Sequence, residues 1–288
     1  REIYDVCINM GLGIGGKAMV YLDLSHKPDE ELDRKLGGIM EIYEKFVGED
    51  PRRVPMRIFP AVHYSMGGLW VDFEKTPDGL LDRSSPRNQM TNIPGLYAIG
   101  EVDCQYHGSN RLGANSLLSC IFAGFVVAPA AIELNKNTQG DFNGAADSEK
   151  KRWVDRLEEL RKMDGKVNPY MLHRELGEMM NTDVTIVRHN EQLQKTYSRL
   201  EEMQELWKDC AALDDSTWNN QPVIFLHQLW NMLEIAKIIV KGAILRDECR
   251  GAHYKPEFEI KQPKDINSPE YKEYLEKWEA NNKNLLKM

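Results

Sequence analysis

The spacing of apolar residues divides the chain into two regions. Beyond about residue 148, apolar residues recur every three or four positions, which is the period of amphipathic helices. The pattern predicts four helices: residues 148–163, a helix opened by Asn168 as N-cap and Pro169 as first residue, a helix capped by Thr182 or Asp183, and residues 222–246. The third helix has a stripe of Leu193, Tyr197, Leu200, Met203 and Trp207, and the fourth one of Phe225, Leu229, Met232, Leu233, Ala236 and Ile239. We interpret these helices as an antiparallel helical bundle.

The first half of the chain mixes short extended runs with helices. Helical spacing occurs in residues 2–10 and 29–46, and β-prone runs occur in residues 18–24, 69–73 and 96–99. Residues 135–147 are polar and rich in Gly and Asn, which favours a linker or surface loop.

An uncharged apolar run covers residues 117–132, directly after Asn115 and Ser116, which are suited to cap a helix. The run is shorter than the roughly 20 residues needed to cross a bilayer. It also contains Ser119, Gly124 and Pro129. We therefore predict a buried core helix.

Composition narrows the class of protein. The 288 residues include 37 basic and 45 acidic side chains, for a net charge of −8, so a general nucleic-acid-binding surface is excluded. The 42% hydrophobic and 28% charged residues are typical of a soluble globular protein. The odd number of cysteines, without regular spacing, predicts reduced thiols in a cytosolic protein; they are Cys7, Cys104, Cys120, Cys210 and Cys249.

Two motif matches have a poor context. Gly11-x-Gly13-x-x-Gly16 has the spacing of a dinucleotide fingerprint, which requires a strand before it and a helix after it. Here the preceding segment is predicted helical and the following one extended, so we interpret it as a flexible turn. The pairs Cys104/His107 and Cys249/His253 lack the further ligands of a zinc site, and no metal is predicted.

Two other stretches indicate a ligand site. His63 stands on a β-prone segment just before Gly67-Gly68, where a backbone can approach a ligand closely. Arg111 lies in a polar loop that leads into the helix opened by Asn115-Ser116, whose N–H groups suit a phosphate, a carboxylate or a reduced flavin. His and Arg together suit a dicarboxylate. The alternative, in which Arg111 caps a carbonyl and His63 is a satisfied core histidine, stays open on these residues alone.

Four stretches resemble the flavoprotein subunit of succinate dehydrogenase/fumarate reductase, in its menaquinone-linked bacterial type. They are HYSMGGLWVD, GLYAIGEVDCQYHGSNRLGANSLL, NPYMLHRELGEMM and LRDECRGAHYKPEF. The resemblance implies a fold of mixed α+β and α/β class. Its expected parts are a capping-domain remnant at 1–60, the C-terminal half of a Rossmann-like FAD-binding domain at 61–135, a helical bundle domain at 146–250 and a C-terminal tail segment at 251–288. The family's N-terminal Rossmann-like segment, with its diphosphate-binding glycines and its FAD-linking histidine, is expected to be absent from this chain.

The resemblance also implies roles for single residues. Glu101 matches the acidic residue that binds FAD hydroxyls, and Ser116 and Leu117 match helix-start positions that contact the flavin. His63 and Arg111 match the pair that holds the dicarboxylate. Arg1 aligns with the catalytic arginine, which shuttles a proton while hydride moves between substrate and flavin.

The activity implied is the interconversion of succinate and fumarate. Electrons would pass to an iron–sulfur subunit and, through a membrane-anchor cytochrome b-type subunit, exchange with menaquinone, with the protein peripheral on the cytoplasmic face of the plasma membrane. L-Aspartate oxidase is the alternative enzyme, because it is similar in its flavin domain and its Arg-Gly-x-His stretch. A non-enzymatic alternative is a structural or interaction module that does not hold FAD by itself. The charged cluster of Arg246, Glu248, Arg250 and His253 is predicted to be structural rather than chemical.

Overall fold

The computed structural model describes residues 1–104, 107–113, 115–137 and 143–285. The chain divides into two compact units, Arg1–His63 and Tyr64–Met288.

The first unit combines two helices with a short two-stranded sheet. Its elements are α1 (Glu2–Tyr4), which continues as a π-helical turn (Asp5–Asn9), β1 (Val20–Leu22), α2 (Asp29–Val47) and β2 (Met56–Ile58). β1 pairs antiparallel with β2, with Tyr21 opposite Arg57. Acidic residues fill the first turn of α2, where their negative charge interacts favourably with the helix dipole. Gly48 ends the helix in the left-handed conformation (φ 77°). The predicted helices at 2–10 and 29–46 are confirmed, and the strand predicted at 18–24 is present but shorter.

The glycine motif lies between helical and extended segments, as expected. The π-helical turn Asp5–Asn9 precedes it and β1 follows it. A 3-10 turn, Ile14–Gly16, occupies the position where a dinucleotide-binding helix would begin. This order is the reverse of the dinucleotide fingerprint, so the motif is a turn.

The second unit begins with irregular backbone. The runs predicted as strands at 69–73 and 96–99 form only isolated bridges, Leu69 with Asp103 and Met90 with Tyr97. The prediction of strands is wrong because a strand needs a continuous partner, and within the described residues neither run has more than a one-residue bridge. In the described part of the chain, the only sheet is β1–β2.

A continuous helix follows this irregular region. It consists of α3 (Ser116–Phe122), a π-helical turn (Ala123–Val127) and α4 (Ala128–Asn135), and it starts after Asn115 as predicted. Its buried side chains are the small or branched ones at every fourth position, Ser119, Ala123 and Val127. The larger apolar side chains are exposed: Leu117, Leu118, Ile121, Phe125, Ile132 and Leu134.

The prediction of a buried core helix at 117–132 is therefore wrong. Only the narrow 119–123–127 stripe is fully buried, and the larger apolar side chains named above are exposed. By length and composition alone, this helix and residues 221–245 are long and apolar enough to cross a membrane.

The rest of the second unit is helical. It contains α5 (Asn143–Arg161), α6 (Pro169–Asp183), α7 (Asn190–Trp207), α8 (Gln221–Leu245), a 3-10 turn (Pro256–Phe258) and α9 (Pro269–Leu285). Asn168 caps α6 as predicted, accepting from the Tyr170 N–H at 2.9 Å. Residues 138–142 of the predicted linker at 135–147 lie outside the described residues, and α5 already begins at Asn143.

The predicted cap of the third helix is wrong. Thr182 and Asp183 are the last residues of α6, and α7 begins at Asn190 after His189. The Asp183 carboxylate instead accepts hydrogen bonds from two side chains of α7, Thr196 at 2.8 Å and Gln192 at 3.1 Å. It therefore joins α6 to α7 laterally.

Helices α5–α8 share one apolar core. The stripe predicted for α7 is confirmed, with Leu193, Leu200, Met203 and Trp207 buried. On α8 the predicted stripe is partly wrong, because Met232 and Ile239 are exposed. The buried residues of α8 are Val223, Leu226, Leu229, Leu233, Ala236, Val240 and Ala243.

Candidate functional site

A 3-10 turn, Gly100–Val102, presents Glu101 beside the start of α3. Gly100 has φ 77°, and a Cβ on it would stand 2.6 Å from Cys120 Sγ, so only glycine lets the turn lie this close to α3. The Ser65 N–H donates to Glu101 Oε1 at 2.8 Å. Glu101 itself is exposed, so its carboxylate is accessible to a ligand.

The Gly67-Gly68 pair lies close to another part of the protein backbone. A Cβ on Gly68 would lie 2.2 Å from the Val102 carbonyl oxygen, and the neighbouring Leu69 N–H donates to that same oxygen at 2.7 Å. The sequence predicted that the backbone here could approach a ligand closely. In the structure, Gly68 instead lies close to the backbone of the turn that carries Glu101. These contacts fix the turn against residues 65–69.

Arg111 is held over an aromatic ring. Its guanidinium carbon lies 5.3 Å from the centroid of the Tyr64 ring, a cation–π contact, and Nη1 donates to the Leu112 carbonyl at 3.0 Å. The Nε atom is shielded from solvent and has no hydrogen-bond partner among the described residues. The sequence left open whether Arg111 caps a carbonyl or binds a ligand. It does bond a carbonyl, but this bond uses only one of its three nitrogens.

Tyr64 connects the parts of this site, and sequence reasoning missed it. Its ring packs edge-on against His107 at 5.1 Å, and its hydroxyl lies 3.3 Å from Ser119 Oγ on α3. The sequence feature that could have indicated Tyr64 is its position directly after His63, in one of the two stretches that indicate a ligand site. Its role depends on contacts to residues more than 40 positions away, which spacing does not reveal.

The structure brings together four of the six predicted site residues. Glu101 reaches α3 through the Gly100–Cys120 contact, and α3 begins with Ser116 and Leu117. Arg111 reaches the same helix through Tyr64 and Ser119. Together these residues form a polar and apolar surface around the start of α3.

The other two predicted residues belong to the first unit. Arg1 is the exposed residue that precedes α1, and His63 is the exposed last residue of that unit. Its exposure rules out the alternative in which His63 is a core histidine.

The surface around α3 fits part of a flavin nucleotide. Leu117 and Leu118 are 72% and 58% exposed in the first turn of α3, which suits a flat apolar ring. The exposed carboxylate of Glu101 suits ligand hydroxyls. The residues present therefore fit the roles that the resemblance implies for them toward FAD.

The two Cys–His pairs differ in their surroundings. Burial, and after it the nearby charge of Asp103, raises the pKa of the Cys104 thiol. Cys249 Sγ donates to the Lys255 carbonyl at 2.8 Å, and the His253 ring bonds two arginines. No group of three or more His, Cys, Asp or Glu side chains suited to a metal occurs in the described part of the chain.

The charged segment after α8 forms a partly buried network. His253, 4% exposed, accepts at Nδ1 from Arg188 (2.6 Å) and bonds the Arg246 carbonyl through Nε2 (2.8 Å). Burial first, and then the charges of these arginines and of Lys255, lowers the pKa of His253 to about 4, so the ring is neutral at pH 7. Arg246 also pairs with Glu248.

Lys255 is the deepest member of this network. Its side chain is fully buried, and Nζ donates to Asn190 Oδ1 (2.7 Å), Asp247 Oδ1 (2.9 Å) and the Ile244 carbonyl (3.2 Å). Hydrogen bonds from Asn190 and Lys255 lower the pKa of Asp247. These contacts attach the segment after α8 to the start of α7.

Comparison with known proteins shows which family the chain resembles. Residues 1–117 match the family model described as FAD binding domain, and residues 173–281 match the one described as fumarate reductase flavoprotein C-term. The chain is 50% identical over 266 residues to the succinate dehydrogenase flavoprotein subunit of Bacillus subtilis strain 168, covering 90% of this chain and 42% of that protein. It is 33% identical over 244 residues to the fumarate reductase flavoprotein subunit of Haemophilus influenzae Rd, covering 84% of this chain and 38% of that protein.

A solved structure has the same fold. In a quinol-fumarate reductase with menaquinol molecules, one chain aligns with a TM-score of 0.73 and 31% identity, over 85% of this chain and 40% of that one. The chain thus spans about 40% of the length of the relatives it matches. FAD is the cofactor implied by the resemblance, and the FAD-binding model and the flavoprotein relatives confirm it. Over the length that it spans, the chain belongs to the succinate dehydrogenase/fumarate reductase flavoprotein subunit family.

Proposed function

We propose that this chain supplies the dicarboxylate-binding arginine and one side of the FAD site of a flavoprotein that interconverts succinate and fumarate. The observation behind this proposal is the state of Arg111, whose guanidinium is stacked on Tyr64 with a shielded Nε that bonds no described residue. The terminal nitrogens of a guanidinium held in this way can donate two parallel hydrogen bonds to a carboxylate.

Arg111 and His63 would hold the two ends of the substrate. Stacking on Tyr64 restrains the guanidinium plane, so less rotational freedom is lost when a carboxylate binds. His63 would donate to the second carboxylate. Two anchored ends place the central carbon–carbon bond at a fixed position, which is the orientation effect on which such a reaction depends.

Glu101, Ser116 and Leu117 would hold FAD. When bound, FAD supplies the hydride acceptor and donor of the reaction. Glu101 would accept hydrogen bonds from ligand hydroxyls, and the N-terminus of α3 would favour negative charge near Ser116. The exposed side chains of Leu117 and Leu118 would exclude water from the ring face.

Arg1 would carry the proton. A guanidinium has a pKa above about 12, so it is a suitable acid toward the strongly basic carbon formed when fumarate takes up hydride. In the direction of succinate oxidation, neighbouring groups must assist its deprotonation. This role is supported by the alignment of Arg1 in the family resemblance.

The partners follow from the same family. We infer that electrons pass to an iron–sulfur subunit and exchange with menaquinone through a membrane-anchor cytochrome b-type subunit. The protein would be peripheral, on the cytoplasmic face of the membrane. The structural relative named as a quinol-fumarate reductase with menaquinol molecules supports this assignment.

The test is a substrate comparison with the full-length protein. Purified flavoprotein is assayed with succinate and an artificial electron acceptor, with fumarate and a reduced dye, and with L-aspartate and oxygen. Turnover of succinate or fumarate without turnover of L-aspartate is the expected result. Activity on L-aspartate alone would show an L-aspartate oxidase and would refute the proposal.

A further inference from the structure

A turn of the C-terminal segment touches the loop that bears Arg111. The Arg250 N–H donates to the His253 carbonyl (2.9 Å), and the His253 N–H donates to the Arg250 carbonyl (3.1 Å), so residues 250–253 close a tight turn. Within it, the Ala252 N–H donates to the Ser109 carbonyl at 3.0 Å. Ser109 is two residues before Arg111, so the turn bonds directly to the arginine loop.

Gly251 permits this contact. Its φ is +60°, a conformation that side chains rarely adopt. A Cβ at this position would stand 2.2 Å from the Ser109 carbonyl oxygen, 2.6 Å from its carbonyl carbon and 2.8 Å from Oγ. Any side chain at 251 would therefore push the Ser109 backbone away by roughly 1 Å to reach van der Waals distance.

The turn is fixed on its other side to the helical core. His253 is buried and bonds Arg188, which precedes α7, and the carbonyl of Arg246 at the end of α8. Lys255, fully buried, bonds Asn190 at the start of α7. A displacement at Gly251 is thus not absorbed by the turn, and it is passed to the arginine loop.

The loop is equally constrained near Arg111. The guanidinium lies over Tyr64, whose hydroxyl contacts Ser119 on α3. A shift of Ser109 therefore changes either the position of Arg111 over Tyr64 or the direction of its donors. Charge-assisted hydrogen bonds in a fork geometry are sensitive to both.

We propose that Gly251 is a positioning residue for dicarboxylate recognition, and that its contact with Ser109 sets the place of the Arg111 guanidinium. The inference rests on the proposed function, in which Arg111 holds a substrate carboxylate. It assigns the helical region a part in substrate recognition without contact between Gly251 and the substrate.

The experiment compares two Gly→Ala variants of the full-length flavoprotein in its complex. Gly251→Ala introduces the collision, whereas Gly95→Ala places the same side chain at a glycine of similar φ (82°) with no atom within 4 Å. The measurements are FAD content, kcat and KM for succinate, and the Kd of malonate as a non-reacting dicarboxylate. We expect Gly251→Ala to raise KM and Kd about 10- to 100-fold with normal FAD content, and Gly95→Ala to leave both within about twofold.

A double variant shows whether Gly251 acts through Arg111. Once Arg111→Lys has removed the fork, Gly251→Ala should add less than about threefold to the malonate Kd, because coupled residues are not additive. If Gly251→Ala does not accumulate as folded protein, Ser109→Gly replaces it. This variant loosens the same loop without a collision and should raise the Kd in the same direction.

The outcomes separate the inference from the proposed function. If Arg111→Lys leaves succinate KM and malonate Kd unchanged, the role of Arg111 is wrong. If Arg111→Lys weakens binding but Gly251→Ala does not, or if its effect adds fully to that of Arg111→Lys, only the positioning role of Gly251 is overturned. An equal rise of Kd in Gly95→Ala also overturns it.

Discussion

Protonation of His253 should destabilise the fold in acid. The folded protein holds this ring neutral, with a pKa of about 4, against 6.5 for an exposed histidine. Above pH 6.5 neither state takes up a proton, so the contribution of this group to stability is constant. Between pH 6.5 and 4 the unfolded chain binds a proton that the folded chain does not, so stability is lost as the pH falls.

The size of the loss follows from the shift. Each pKa unit corresponds to 1.36 kcal/mol, so the full window costs about 3 kcal/mol of unfolding free energy. Protonation also removes the acceptor that Nδ1 offers to Arg188 and places a second positive charge 2.6 Å from that guanidinium. The loss is therefore a large fraction of the stability of an ordinary domain.

The assay is urea unfolding between pH 4 and 7.5, followed by tryptophan fluorescence. His253→Gln cannot titrate, so the stability gap between wild type and this variant should narrow by about 3 kcal/mol from pH 7 to pH 4. The difference cancels the titration of other groups. His26→Gln, at an exposed histidine of the first unit, is the matched control for the exchange of histidine for glutamine. A His253→Gln gap of the same size at both pH values would refute the reasoning.

Three further predictions concern the site, the core and the cofactor. Arg111→Lys in the full-length protein should lower kcat/KM for succinate about 10- to 100-fold, because an ammonium cannot form the fork, and unchanged kinetics would return Arg111 to a structural role. Leu233→Ala, at a buried position of α8, should lower the free energy of unfolding in urea by about 2–5 kcal/mol. Ile235→Ala, at a position 57% exposed on the same helix, should lower it by a small fraction of that. Equal losses would contradict the assigned core. The purified chain by itself should not retain FAD, because its one glycine fingerprint is a turn between a helical segment and β1. Stoichiometric flavin absorbance at about 450 nm would contradict this prediction.

The sequence predicted the buried face of a helix well where polar and apolar residues lie on clearly separate faces. On α7 the polar face fixes the orientation, and the predicted stripe is buried. On α8 nearly every side is apolar, so several stripes are possible from spacing alone. The neighbouring helices decide which one is buried, and they select Val223, Leu226 and Val240 over Met232 and Ile239.

Burial and capping depended on partners that spacing does not reveal. Whether residues 117–132 are buried depends on what covers them, and hydrophobicity measures only the tendency to be covered. Asp183 has the chemistry of an N-cap, but its carboxylate serves equally well to bond Thr196 across two helices. Family resemblance indicated Arg111 and Glu101 as candidates, whereas the contacts of Tyr64 and Gly251 become visible only when distant parts of the chain meet.

The Lys255 network closes a long loop of chain. Its bond to Asn190 spans 65 positions, so we expect it to form after α7 and α8 have packed together. Contacts that form this late contribute little to the folding transition state and act mainly on the rate of unfolding. The consequence is kinetic: the buried lysine should prolong the lifetime of the folded helical region more than it speeds its formation.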